Sequence, residues 1–166
     1  MEQALRMTRW AALIVAAALC TGAMAQQGPA PMKSICQGIG TAPLEPVGDR
    51  EGHTFTVGHY SCQTQGGPFD GAISTGMTIW ESDKGKSVAL SGNGTIRRPG
   101  LSIVYVLTEA SNALTMADGK VTGFSGTARG VYKIASGSAA ALAGKTFTST
   151  FRSVAGGQFV IETTVD

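Results

Sequence analysis

From Thr54 to Val165 the chain is a succession of short runs in which apolar and polar residues alternate with a period of two. Gly, Pro and Asp-Gly turns separate the runs, and no stretch sustains the 3.6-residue period of a long helix. That pattern restricts the chain to an all-β architecture. The runs are Thr54 to Gln63, Gly71 to Glu81, a third carrying Val88, Leu90 and Ile96, then Leu101 to Glu109 and Ala113 to Met116. Val121 to Ala135, Lys145 to Ser153 and Gln158 to Val165 complete them. Asp118-Gly119 suits a primed hairpin turn. Ser138 to Ala143 is Ala-rich and predicts one short helix that stops at Gly144. Eight runs with short connections predict a single antiparallel up-and-down barrel, with a β-sandwich as the alternative. Glycines inside the runs suit the bends by which a sheet curls shut.

The N-terminus has a different character. Arg6 and Arg9 precede an apolar run from Ala11 to Leu19, and Ala23-Met24-Ala25 stands before Gln26. This is the order of a secretory signal, with cleavage expected after Ala25 and a periplasmic or secreted location for the product. The apolar run is much shorter than the roughly 20 residues that cross a bilayer, so no membrane span is expected. Residues 26–50, with Pro29, Pro31, Pro43 and Pro46, read as an irregular leader to a barrel domain over 51–166. Cleavage leaves Cys36 and Cys62, which can form one disulfide in an oxidising compartment. A zinc site made from them with His53 and His59 would lack the close ligand pairs that such sites use; no metal or other cofactor is expected. The cleaved chain carries 11 basic and 10 acidic residues in scattered positions. Nucleic-acid partners call for a basic stripe, and this chain has none.

Candidate site residues follow from the phase of each run. His59 shares its phase with Phe55 and Val57, and Glu81 with Ile73, Met77 and Ile79. Tyr105 and Glu109 follow Leu101, Ile103 and Leu107. If the apolar phase faces inward, His59, Glu81, Tyr105 and Glu109 meet inside the barrel, where they would orient a ligand or act as an acid/base group. Phe124, Tyr132 and Ile134 are expected inside as well, with Arg129 in solvent. Trp80 falls on the opposite phase, which leaves it to cover a mouth, to stack on a ligand or, the favoured reading, to pack against the leader. No G-x-S-x-G element is present.

The run from Asp118 through Gly119, Gly123, Phe124, Gly126 and Gly130 to Tyr132 resembles the glycine-rich hairpin that joins two central strands in allene oxide cyclase-like and dirigent-like barrels. The likeness extends over Gly71 to Arg152. It implies a small eight-stranded barrel with an apolar cavity and, as one activity, cofactor-free cyclisation or isomerisation; no cyclisation residue maps onto this chain. Three functions are therefore compatible with the sequence: binding of a small apolar or amphipathic ligand, an envelope structural or inhibitory role without a ligand, and a cyclase or isomerase.

Overall fold

The computed structural model describes residues 31–166. The export signal read in residues 1–25 and its cleavage point lie outside them. The elements are β1 (Met32–Ile39), β2 (Glu45–Pro46), β3 (Thr54–Gln65), β4 (Ile73–Asp83), β5 (Lys86–Arg98), β6 (Leu101–Ala117), β7 (Lys120–Gly137), β8 (Thr146–Ser153) and β9 (Gln158–Val165). Single 3₁₀ turns stand at Gly67–Phe69, Ala140–Leu142 and Ala155–Gly157. The middle one replaces the short helix expected at Ser138 to Ala143.

Strands β3 to β9 form an antiparallel meander. Strand β1 closes it by pairing with β9 on one side and β3 on the other. The result is a closed barrel of eight strands, with the two-residue β2 attached outside on β3. Barrel rather than sandwich follows from β1, because it satisfies both edges that the meander leaves open.

Two details differ from the sequence reading. Met32–Ile39 belongs to a segment read as irregular, yet it is a barrel strand. Its hydropathy alternation is weak, and the surrounding prolines lie outside it. The runs at 101–109 and 113–116 are one strand, β6, continued through an irregularity in its pairing with β7 between Leu107 and Glu109. The expected number of strands is correct because one addition offsets one merger.

The two ends of the barrel are unequal. At the end where β1, β6 and β8 begin, the 3₁₀ turn Gly67–Phe69 places Phe69, 2% exposed, beneath the strands. Met32, Ala72, Ile96, Leu101, Ile103, Tyr132, Ala139 and Phe147 join it in the buried apolar cluster. Phe69 meets Tyr132 edge to face at 5.8 Å, and Tyr132 stacks on Phe147 at 4.8 Å. This end is a packed floor. At the opposite end β6 and β7 run on as a long hairpin to Asp118, which takes φ 51 before Gly119.

A disulfide joins Cys36 of β1 to Cys62 of β3, which face each other in the register of those strands. Both sulfur-bearing residues are buried, at 1% and 2% exposure. A cross-link over a separation of 26 residues restricts the unfolded chain, so replacing both cysteines by serine is expected to lower stability by roughly 2–4 kcal/mol in urea unfolding.

Candidate functional site

Above the floor lies a cavity of about 570 Å³. Its walls come from the even-numbered residues of β3 and β4: Thr56, Gly58, Tyr60 and Thr64, with Ser74, Thr78, Trp80 and Ser82. The odd-numbered residues of the same strands therefore point outward. This reverses the phase expected from hydropathy. Phe55, Val57, Met77 and Ile79 are only partly covered on the outer face, and Ile73 is 47% exposed.

Two irregularities set the phase elsewhere. The register between β4 and β5 shifts at Ile79 and Trp80, so Leu90 gains no opposite partner there. Val88 and Leu90 end up 51% and 60% exposed, whereas Ile96 faces the core. In β6, Leu101, Ile103, Tyr105 and Leu107 face inward, and after the shift the lining residues are Ala110, Asn112 and Leu114.

The four predicted site residues are thus separated. Tyr105 lies inside, 7% exposed. Glu109 is exposed, because the irregularity after Leu107 turns it outward. His59 borders the cavity wall but is exposed, between the inward-facing Gly58 and Tyr60. Glu81 does not line the cavity; it accepts a hydrogen bond from His53 at 2.8 Å. Phe124 and Tyr132 line the interior and Arg129 is exposed, as expected, while Ile134 is 61% exposed and points away. Trp80 lines the cavity, 6.0 Å from the ring of Phe151.

The sequence reading missed Tyr60. Its hydroxyl lies 2.7 Å from that of Tyr105. Register explains how two tyrosines on β3 and β6 can meet across β4 and β5: Tyr60 pairs with Gly76, Gly76 with Gly94, and Gly94 with Tyr105. A Cβ at Gly94 would lie within van der Waals overlap of the Tyr105 hydroxyl and of the Thr75 carbonyl oxygen. The two glycines clear the wall on which the phenols rest. Burial raises the pKa of both tyrosines above the ordinary value of 10.0, so both stay protonated as hydrogen-bonding groups.

Interior hydroxyls largely satisfy one another. Ser34 pairs with Thr64 at 2.9 Å, Ser82 with Ser87 at 2.6 Å and Ser149 with Thr163 at 2.7 Å. Phe124, Phe151 and Phe159 cover the upper wall, with ring centroids 6.2 and 5.7 Å apart. Among the described residues the lining contains no Asp, Glu, Lys or Arg.

The segment between β1 and β3 borders the open end through Ala42 and Leu44. It is tied down by a charged cluster. His53, 6% exposed, gives one ring N–H to Asp49 at 2.5 Å and the other to Glu81 at 2.8 Å, while Arg50 bonds Asp83 through two nitrogens at 2.9 and 3.1 Å. Both ring nitrogens can donate only as imidazolium. The hydrogen bonds to Asp49 and then Glu81 raise the His53 pKa above 6.5, and the bond from His53 lowers that of Asp49 below 3.8. The disulfide leaves neither cysteine free to join a histidine in binding zinc.

Comparisons with protein-family models, with curated proteins and with solved structures find no match.

Two outcomes follow. Gly94→Val is expected to displace Tyr105 and cost roughly 1–3 kcal/mol, measured by chemical unfolding. The His53 tie is fully present below pH 6.5 and is lost as pH rises through the elevated folded value; its Asp49 partner weakens only in acid. Hydrogen-exchange protection of residues 47–53 should fall with rising pH in the native chain and be low and pH-insensitive in His53→Gln.

Proposed function

We propose that this protein is an exported binding barrel that holds a small, largely apolar molecule in the cavity inside the barrel. The carrying observation is the combination of a packed floor with an aromatic-walled space of about 570 Å³ above it, within the range of small-molecule sites. A barrel of eight strands can be filled by side chains or can hold one ligand. Here Gly38 and Gly58 line the space where larger residues would have filled it. Export is supported by the N-terminal signal pattern and by the buried Cys36–Cys62 bridge.

The lining offers phenols, hydroxyls and one side-chain amide, with His59 at its border. These groups suit orientation of a bound molecule better than proton abstraction from it, which favours a binding role over cyclisation. Exposure of Val88 and Leu90 on the outer face of β5 favours a second reading, contact with an envelope protein. The two readings differ in what the interior does.

Gly58 provides the test. A Cβ placed there would meet only the Thr78 carbonyl oxygen, at 3.9 Å, and the side chain would point into the cavity. Gly58→Phe should leave the unfolding midpoint nearly unchanged and weaken binding of an apolar naphthalene probe more than tenfold, read by fluorescence titration. Equal binding by native protein and variant would overturn the cavity assignment.

A further inference from the structure

Nearly all aromatic side chains of the barrel are gathered at the cavity. All six phenylalanines and all three tyrosines of the chain, with Trp80, lie among the described residues, and only Phe55 does not line it. The rings are also joined to one another. Trp80, near the open end of β4, lies 6.0 Å from Phe151, and Phe151 lies 6.2 Å from Phe124. Phe124 leads to Phe159 at 5.7 Å, and Phe159 to Tyr60 at 5.9 Å. The phenol pair carries the chain across to Tyr105, 6.1 Å from Phe147. Stacking of Phe147 on Tyr132, and the edge contact of Tyr132 with Phe69, end it in the floor.

Ring orientation gives this wall a character that an aliphatic wall lacks. Four of the pairs meet edge to face, with planes inclined at between 60° and 87°. An aromatic ring is weakly negative on its face and weakly positive at its edge. The wall therefore offers both kinds of weak charge from mouth to floor. It offers them without formal charge, since among the described residues the lining contains no Asp, Glu, Lys or Arg.

Resting on the cavity-binding reading, we infer that the ligand is an uncharged planar unsaturated molecule, an aromatic or conjugated ring system, held along this chain of rings. Such a molecule carries the same two surfaces as the wall: its edge suits a ring face, and its face suits a ring edge. A saturated molecule of the same skeleton offers only C–H surface. Hydrophobic burial alone ranks the saturated molecule no lower, because it has at least as much apolar surface to remove from water. A preference for the unsaturated molecule therefore reports the rings and not apolarity as such. A carboxylate would be buried without a counter-charge; an ammonium would be too, although ring faces attract it.

Four compounds on one skeleton test this: 2-(1-naphthyl)ethanol, its decahydro counterpart, the 2-(1-naphthyl)acetate anion and 2-(1-naphthyl)ethylammonium. Each is titrated as a competitor against N-phenyl-1-naphthylamine on the native barrel, at fixed pH and salt. The naphthyl alcohol should bind about fivefold or more tightly than the decahydro alcohol, the gain expected of one or two aromatic contacts. Both ions should bind more weakly than the naphthyl alcohol. Phe124→Leu combined with Phe151→Leu removes two half-buried rings of the upper wall. That variant should at least halve the preference for the naphthyl alcohol while the decahydro alcohol still binds. Phe124→Tyr, which keeps the ring, should preserve the preference. If the decahydro alcohol binds the native barrel as well as the naphthyl alcohol, or the double variant keeps the full preference, the ring assignment is wrong and the cavity reading stands. An ion that binds better than the naphthyl alcohol overturns the uncharged ligand in the same way. If neither the dye nor any competitor binds, the cavity reading itself fails, and the ring assignment with it.

Discussion

Closure of the ring by β1 is the constraint on which the rest of the molecule depends. The meander from β3 to β9 would leave two strands with unpaired backbone groups, and an eight-residue strand supplies partners to both. Residues from opposite ends of the chain thereby become wall neighbours: Cys36 stands between Cys62 and Phe159 in the register. The disulfide fixes the seam that forms between elements distant in sequence. Without that seam there is no interior, and neither the tyrosine pair nor the aromatic wall has anything to enclose.

Inside the ring, space is allotted by pairing small residues with large ones. One band around the wall, from β1 to β6, reads Gly38, Tyr60, Gly76, Gly94 and Tyr105, each opposite the next. Gly126 and Gly130 accept Phe151 and Phe147 from β8 in the same manner, since a Cβ at either glycine would overlap the facing ring. The aromatics therefore lie along the wall and line the volume without filling it. Glycines that would weaken an isolated strand serve packing here, because the side chain that each strand lacks is supplied by its neighbour.

Fold class and most strand boundaries were legible in the sequence because turn chemistry is local: Asp118-Gly119 and Pro99-Gly100 mark their reversals unaided. The strand count agrees only because the missed β1 offsets the division of β6 into two runs. Facing was much less legible. Hydropathy places Phe55 and Val57 inside and Thr56 and Gly58 outside, the reverse of the structure. The inference fails because a cavity wall, unlike a packed core, has room for hydroxyls that pair with one another. It fails again at Leu90 and Glu109, where pairing irregularities shift the phase within a strand by one residue and reassign everything beyond. Tyr105 was found because its part of β6 faces a true core. Tyr60 and His53 could not be found, since their partners Tyr105 and Glu81 lie 45 and 28 residues away.

The packed floor under the barrel also has a kinetic meaning. With Phe69, Ala72 and Ala139 sealing one end, the interior is a dead end and not a conduit. On the binding reading proposed above, a molecule that enters past Ala42 and Leu44 would leave by the same route, so its entry and exit would cross one shared barrier. Loosening that rim speeds both directions together and shortens occupancy in time without changing it at equilibrium, as long as the wall contacts stay the same. Such a vessel can be tuned for how long it retains its contents separately from how strongly it prefers them.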